Sequence, residues 1–321
     1  MKIVIAGGGP AALESAVAAR KTASDAEIVI CSAENFLPYR RPALSGLLAA
    51  GKTVDPKTFY IKPESFFAEQ RISFRGGCRG VEIKDHALIL ESGEAVTFDK
   101  LILACGGNAV RPPIPGGERA FTLRTLADME KLTARLDAGV KSAVVIGGGV
   151  LGLEIAESLI SRAIPATVIE TSPRLFARKL DQAASLALEE RLNKIEFLKI
   201  ICGQSVTAIT DDAVKTASGE EIPAETVIFA AGSTPDLTLA ASAGIKCGRG
   251  VLVNAFMESS VPDIYAAGDT AEFDGRCFNL YMDAVSSGKI AGTNAAGGRQ
   301  EFSAVFAPVR FFALGEKLVM P

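Results

Sequence analysis

Short apolar runs that close on glycine recur along this chain. Ile3–Ala6 runs into Gly7-Gly8-Gly9, Asp99–Gly107 reads DKLILACGG, Ser142–Ile146 runs into Gly147-Gly148-Gly149, Thr226–Gly232 reads TVIFAAG, and Pro262–Asp269 reads PDIYAAGD. Runs this short, without polar alternation, predict strands buried on both faces of a parallel sheet. The stretch Pro10–Arg20 after the first run, and the stretch to about Arg162 after the third, predict helices. A second strand follows each, at Glu27–Ser32 and at Ala166–Ile169, so the strand–turn–helix–strand unit occurs twice. Between the copies, Arg71–Phe98 alternates in the pieces ISF, VEI, ALIL and AVTF around Gly and Asp. It predicts an antiparallel meander inserted in the first domain, with His86 at a turn. Arg111–Gly117, RPPIPGG, predicts a linker. Farther on, Ala183–Asn193 and Tyr281–Asn294 predict helices, the second tolerating Gly288. Glu196–Ile201, Val206–Ile209 and Ala213–Thr216 predict strands around Gly and Asp turns, and Arg310–Val319 is a partly alternating apolar run.

Composition narrows the functional classes. The 321 residues favour two domains, and 48% hydrophobic content suffices for two cores. A net charge of −3 without a basic block argues against nucleic acid as a partner. No apolar run reaches the ~18 residues of a membrane span. The six cysteines, at 31, 78, 105, 202, 247 and 277, form no CxxC pair, so neither a zinc site nor a local redox disulfide is expected, and no metal is assigned. Reduced thiols, and a first strand that leaves no room for a leader, predict a cytoplasmic protein. A single histidine and no tryptophan shorten the list of acid–base catalysts.

The chemistry sits at the glycine turns. Gly7, Gly9 and Ala12 form G-x-G-x-x-A between a strand and a helix, and Gly147, Gly149 and Gly152 repeat it as G-x-G-x-x-G. The first glycine permits the turn, the second lets backbone approach a pyrophosphate, and the third small residue packs helix on strand. The helix N-terminus then presents about half a positive charge to the anion. Glu170 stands 23 residues after Gly147, the offset of an acid that binds an adenosine ribose, and its charge favours NADH over NADPH despite Arg174 and Arg178 nearby. Glu34 is the nearest acid of the first copy. In Phe36–Leu48, FLPYRRPALSGLL, the paired arginines suit phosphate recognition.

Taken in order, GGG at 7–9, PYRRPALS, LACGG before a proline linker, GGGVLGLE, AAGSTP and YAAGD resemble the FAD-dependent pyridine nucleotide:disulfide oxidoreductases. Within that superfamily the chain is most similar to the branch of rubredoxin reductases, ferredoxin reductases and the flavin part of nitrite reductases. The resemblance implies an α/β fold of two Rossmann-like three-layer (ββα) domains, the NAD domain inserted in the FAD domain. It implies an FAD-binding domain in two pieces, 1–110 and 241–321, an NAD(H)-binding domain at 111–240, and a C-terminal interface domain largely missing. It carries Gly7, Gly9 and Ala12 to the FAD pyrophosphate, Glu34 to its ribose, Arg41 to its phosphates, Pro42 and Gly106 beside the flavin, and Gly268 and Asp269 to the ribityl chain. Gly147, Gly149 and Gly152 would cradle NADH with Glu170 on its ribose, Glu154 would face the nicotinamide, and Gly232 would let the nicotinamide arm pass.

The chain departs from the pattern in telling places. No cysteine stands near PYRRPALS, which implies direct transfer from flavin to an external acceptor. Gly46 replaces a frequent lysine, Tyr281 holds the place of a shielding tryptophan, Cys105 replaces a threonine, and Ala109-Val110 replace Pro-Arg. The implied function is a NADH:acceptor oxidoreductase that reduces a rubredoxin-like, ferredoxin-like or other iron protein. The alternatives are the FAD/NADH-binding subunit of a larger oxidoreductase with an iron–sulfur or metal partner subunit, and an NADH-sensing flavoprotein scaffold. A homo- or hetero-oligomer is left open.

Overall fold

The computed structural model describes residues 1–51, 56–303 and 305–320. In chain order its principal elements are β1 (Lys2–Ala6), α1 (Pro10–Thr22), β2 (Glu27–Cys31), α2 (Leu44–Ala50), β3 (Ile72–Arg75), β4 (Lys100–Leu103), β5 (Phe121–Thr122), α3 (Leu126–Asp137), β6 (Ala143–Ile146), α4 (Val150–Ser161), β7 (Ala166–Glu170), β8 (Leu198–Cys202), β9 (Thr226–Phe229), β10 (Ile264–Ala266), α5 (Tyr281–Ala295), β11 (Val309–Ala313) and β12 (Glu316–Met320). They fall into two compact units. The first comprises Met1–Arg40, Asp55–Asn108 and Thr234–Ala307; the second comprises Arg41–Val54, Ala109–Ser233 and Pro308–Pro321. Two short segments that the sequence grouped with the first domain, 41–51 and 308–320, thus fall in the second unit.

In the first unit the five strands of the main sheet run parallel in the order β10-β4-β1-β2-β3. Strand β1 pairs with β2 on one side and β4 on the other, so the strand order reverses at β1, where α/β sheets open a crevice for ligands. Ile3, Val4 and Ile5 are fully buried, which accounts for the absence of alternation along this run. The ISF piece does not belong to the meander: Ile72–Arg75 is the parallel edge strand β3, Val29 pairing with Ser73. Four residues without a partner in view carry no signal of direction, so parallel and antiparallel pairing look alike in sequence. The meander itself has three strands, Gly80–Lys84, Ala87–Leu90 and Ala95–Thr97, and its first turn puts Asp85 and His86 at φ 50° and 55°.

Helices α1 and α5 lie against each other more closely than side chains permit. A Cβ on Gly288 would lie 2.4 Å from the Ala11 carbonyl oxygen, and one on Gly292 would lie 2.1 Å from that of Ser15. The Ser15 hydroxyl donates to the Gly288 carbonyl oxygen at 2.9 Å. Glycine inside a helix costs up to about 1 kcal/mol relative to alanine. Here the close approach that it permits offsets this, and Gly288 is required rather than merely tolerated.

The second unit repeats the plan. Its parallel sheet runs β8-β7-β6-β9-β5, and β6 lies between β7 and β9 just as β1 lies between β2 and β4. Glu196–Ile201 is realised as the edge strand β8, while Val206–Ile209, Ala213–Thr216 and Glu221–Pro223 form an antiparallel sheet. Helix α3 was not predicted. Its signal was present: Thr125 accepts from the Asp128 amide while the Asp128 carboxylate takes the Thr125 amide, a capping box ahead of an apolar stripe through Leu126, Met129, Leu132 and Leu136. The run at 310–319 is a hairpin, β11–β12, which packs Phe311 against Phe176.

Gly46, in α2, differs from Gly288. A Cβ there would meet nothing within 4 Å. Gly46→Ala should therefore stabilise the protein by up to about 1 kcal/mol, read as a rise in thermal midpoint; a fall would mean the methyl meets an obstacle.

Candidate functional site

The two glycine turns are built alike. Gly7 leaves β1 at φ 135° and its amide donates to the Cys31 carbonyl oxygen at 2.8 Å; Gly147 leaves β6 at φ 118° and donates to Ile169 at 2.8 Å. A Cβ on Gly7 would lie 2.0 Å from the Ala104 carbonyl oxygen, and one on Gly147 would lie 2.4 Å from that of Ala230. These first glycines belong to the fold itself. So does Gly152, whose Cβ would lie 1.9 Å from the Gly147 carbonyl oxygen, and Ala12 is fully buried in the matching place.

The second glycines behave differently. Gly9 and Gly149 cap α1 and α4 in extended conformation, and a Cβ on either would meet nothing within 4 Å. Neither helix has a side-chain cap, and neither has an acid in its first turn. Each turn therefore leaves open space in front of a positive helix end that carries no side-chain cap and no first-turn acid. That is what a pyrophosphate needs, and the residues fit FAD and a pyridine nucleotide.

The other predicted residues divide between the units. Gly106, Gly268, Asp269, Glu34 and Tyr281 belong to the first. Gly106 has φ 73° just past β4, and Thr270 holds it in place. The Thr270 hydroxyl accepts from the Gly106 amide at 2.7 Å and donates to its carbonyl at 3.2 Å. Asp269 is half-buried in a single 3₁₀ turn, Gly268–Thr270, whose Gly268 amide donates to the Ser287 hydroxyl of α5 at 3.0 Å. Glu34 is half-buried and accepts from the Tyr39 hydroxyl at 2.8 Å. Tyr281 opens α5, and burial raises its phenol above the ordinary value. Thr270 and Tyr39 were missed in sequence; only their places beside "GD" and "RR" hinted at them.

Arg41, Pro42, Glu154, Glu170 and Gly232 belong to the second unit with the second turn. Arg41 donates to the Arg124 carbonyl oxygen at 2.7 Å. Gly232, past β9, has φ 93° and open space around a would-be Cβ. Glu170 closes its own turn: one carboxylate oxygen accepts from the Gly148 amide and the other from Ser172, both at 2.7 Å. Burial raises the Glu170 carboxyl, but those amide donors outweigh it and hold the group below its ordinary value. It is an anion at neutral pH. Glu154, on α4, is half-buried, and its carboxylate accepts from the Ser45 hydroxyl at 3.0 Å. Ser45 was not among the predicted site residues.

All six cysteines are free thiols. Burial pushes Cys31 up to about 11 and Cys105 and Cys202 up to about 12. Cys105, next to Gly106, donates to the Ala6 carbonyl oxygen at 3.4 Å and is a neutral thiol. Among the described residues no cluster of His, Cys, Asp and Glu could hold a metal ion, and no helix is long and apolar enough to cross a membrane.

Residues 1–293 match the family described as pyridine nucleotide-disulphide oxidoreductase. The chain belongs to that family. It is 34% identical over 275 residues to the ferredoxin–NAD(+) reductase component of the p-cumate 2,3-dioxygenase system of Pseudomonas putida, covering 84% of this chain and 67% of that one. It is 32% identical over 306 residues to an NADH-rubredoxin oxidoreductase of Clostridium acetobutylicum, covering 95% and 77%. The crystal structure of NADH:rubredoxin oxidoreductase from that organism superposes with a TM-score of 0.87 at 31% identity, over 99% of this chain and 81% of the other. An NAD-dependent persulfide reductase from A. fulgidus superposes with a TM-score of 0.91 at 27% identity; this chain spans 62% of its length. Family membership makes the chain a flavoprotein oxidoreductase whose cofactors are FAD and a pyridine nucleotide.

Proposed function

We propose that this protein oxidises NADH and passes the electrons, through FAD, to a small iron protein of the rubredoxin or ferredoxin kind, without a redox-active disulfide. The observation that carries the reading is the pair of uncapped helix N-termini behind open glycines, one in each parallel-sheet unit. The first unit takes FAD on Gly7, Gly9 and Ala12, with Glu34 at the ribose and Gly106, Gly268 and Asp269 along the rest of the cofactor. The second takes NADH on Gly147, Gly149 and Gly152, with Glu170 at the adenosine ribose, Gly232 beside the nicotinamide arm and Glu154 at the nicotinamide. Arg41 and Pro42 are assigned to the FAD phosphates and flavin. Bound FAD supplies the conversion of a two-electron hydride donor into single-electron delivery. The protein's part is to hold, orient and charge-match the two nucleotides. The absence of cysteine from Pro38–Ser45 and the neutral state of Cys105 support transfer without a thiol relay. We place the protein in the cytoplasm, in keeping with its free thiols.

The test is direct. Purified protein should be yellow, bleach when NADH is added without oxygen, and recover colour when oxidised rubredoxin or ferredoxin is supplied. A colourless protein that cannot be reconstituted with FAD would refute the reading. A second reading, that the chain is the electron-transfer subunit of a larger oxidoreductase, draws on its relatives. The chain is 31% identical over 304 residues to an assimilatory nitrate reductase electron transfer subunit of Bacillus subtilis, and covers 39% of it. Bleaching by NADH with no turnover on any free iron protein, together with co-purification of a cluster-bearing subunit, would favour it.

The charge of Glu170 opposes a ribose phosphate. Glu170→Ala should erode the preference for NADH over NADPH by about tenfold or more, the worth of one charged hydrogen bond. It should also raise both Michaelis constants, because the Gly148 amide loses its partner. An unchanged ratio of kcat/KM for the two nucleotides would remove Glu170 from the ribose.

A further inference from the structure

Glu154, a predicted site carboxylate on α4, is held by a side chain of α2. Its carboxylate accepts from the Ser45 hydroxyl at 3.0 Å. Ser45 is itself fixed: the Ser158 hydroxyl donates to the Ser45 carbonyl oxygen at 2.7 Å and to the Glu154 carbonyl oxygen at 2.8 Å, and Ser45 and Ser158 are both buried. Two hydrogen bonds thus tie α2 to α4, one of which ends on the carboxylate, and the third holds Ser158 within α4.

The charged groups around the pair are engaged elsewhere. On α4, Glu157 accepts from the Leu314 amide, and Arg162 at the helix end pairs with Asp137 and donates to the Leu48 carbonyl oxygen. Arg41, ahead of α2, donates to Arg124, and Glu170 at the end of β7 holds its two amides. Helix α2 and strand β6 carry no charge, and on β11 Arg310 points to solvent. Burial raises the Glu154 carboxyl, the Ser45 hydroxyl lowers it, Glu157 raises it, and the balance lies above the ordinary value.

We propose that Ser45 is a positioning residue for NADH oxidation: its hydroxyl orients the Glu154 carboxylate and keeps it anionic, so that the anion faces a nicotinamide ring that becomes cationic as hydride leaves. This rests on the reading that Glu154 faces the nicotinamide. When the hydride, with its electron pair, passes from C4 of the dihydronicotinamide to the flavin, the ring is left with one positive charge. A preorganised anion stabilises that charge as it develops. A carboxyl that has taken up a proton does not. Ser45 therefore governs the pH below which the reaction slows.

Four forms of the FAD-loaded protein test this: wild type, Ser45→Ala, Ser45→Thr and Glu154→Gln. Flavin bleaching by NADH is followed without oxygen between pH 5 and 9. Wild type should slow towards acid. Ser45→Ala should carry that acid limb to higher pH, slowing bleaching by roughly threefold to tenfold on the limb, while converging with wild type at the alkaline end. Ser45→Thr should restore the wild-type profile, and Glu154→Gln should abolish the limb. Thermal midpoints give an independent reading. The raised Glu154 carboxyl costs stability as pH rises through its folded value, and Ser45 offsets that cost only when the group is ionised, so the gap between wild type and Ser45→Ala should be wider at pH 8 than at pH 5. A uniform slowing at all pH values with a pH-independent gap would overturn the role of Ser45. Loss of the limb in Glu154→Gln but no shift in Ser45→Ala would do the same while leaving Glu154 at the nicotinamide. An unchanged limb and rate in Glu154→Gln would remove Glu154 from the nicotinamide and the proposal with it.

Discussion

Gly149→Val should weaken NADH binding by roughly a hundredfold or more and leave the thermal midpoint of the protein unchanged. A Cβ at Gly149 meets nothing within 4 Å, and φ −77° suits any residue. The fold accommodates valine. The pyrophosphate does not, because the branched side chain fills the space in which backbone amides would reach it. Two displaced charge-assisted hydrogen bonds are worth about 3 kcal/mol or more, which is the hundredfold. Gly9→Val should act likewise on the first unit and yield protein that folds but loses its yellow colour. Together the pair assigns each nucleotide to its turn. Gly149→Val protein that loses flavin and keeps NADH affinity would reverse the assignment. Gly147→Val is the control: φ 118° and the Ala230 carbonyl oxygen 2.4 Å away make it a folding defect.

Gly292→Leu should destabilise the first unit by about 3 kcal/mol or more, lowering the thermal midpoint by roughly 6–12 °C. The obstacle is backbone, the Ser15 carbonyl oxygen 2.1 Å from the new Cβ, so no rotamer relieves it. Helices α1 and α5 must separate. Separation also breaks the Ser15–Gly288 hydrogen bond, and it shifts the Ser287 hydroxyl that holds the Gly268 amide. Flavin affinity should therefore fall along with stability. Differential scanning calorimetry with and without added FAD reads both effects. A midpoint unchanged within 1 °C would mean that the helices are not held at this distance.

The two glycine turns of the candidate site were legible before any fold was known, and the reason is local. A glycine turn after an apolar run, with a small residue three positions on, has one main structural use, and both turns stand where they were expected. Glu170 was legible because strand, turn and helix lengths fix its offset. Residues whose roles depend on contacts distant in sequence were not legible. Ser45 is 109 positions from Glu154, Thr270 is 164 from Gly106, and nothing near either records the partner. Edge strand β3 was assigned to the wrong sheet for the same reason, since Ile72–Arg75 gains its direction only from β2.

By itself, then, the sequence determined the doubled strand–turn–helix unit, its glycines and its acids, because backbone sterics and helix dipoles act within a few residues. Tertiary structure alone decided that Gly288 and Gly292 let one helix press on another, that the segments 41–51 and 308–320 fall in the second unit, and that a serine on α2 holds the carboxylate of α4. Those outcomes depend on which surfaces meet after chain reversal, and no local pattern of hydrophobic and polar residues encodes that meeting.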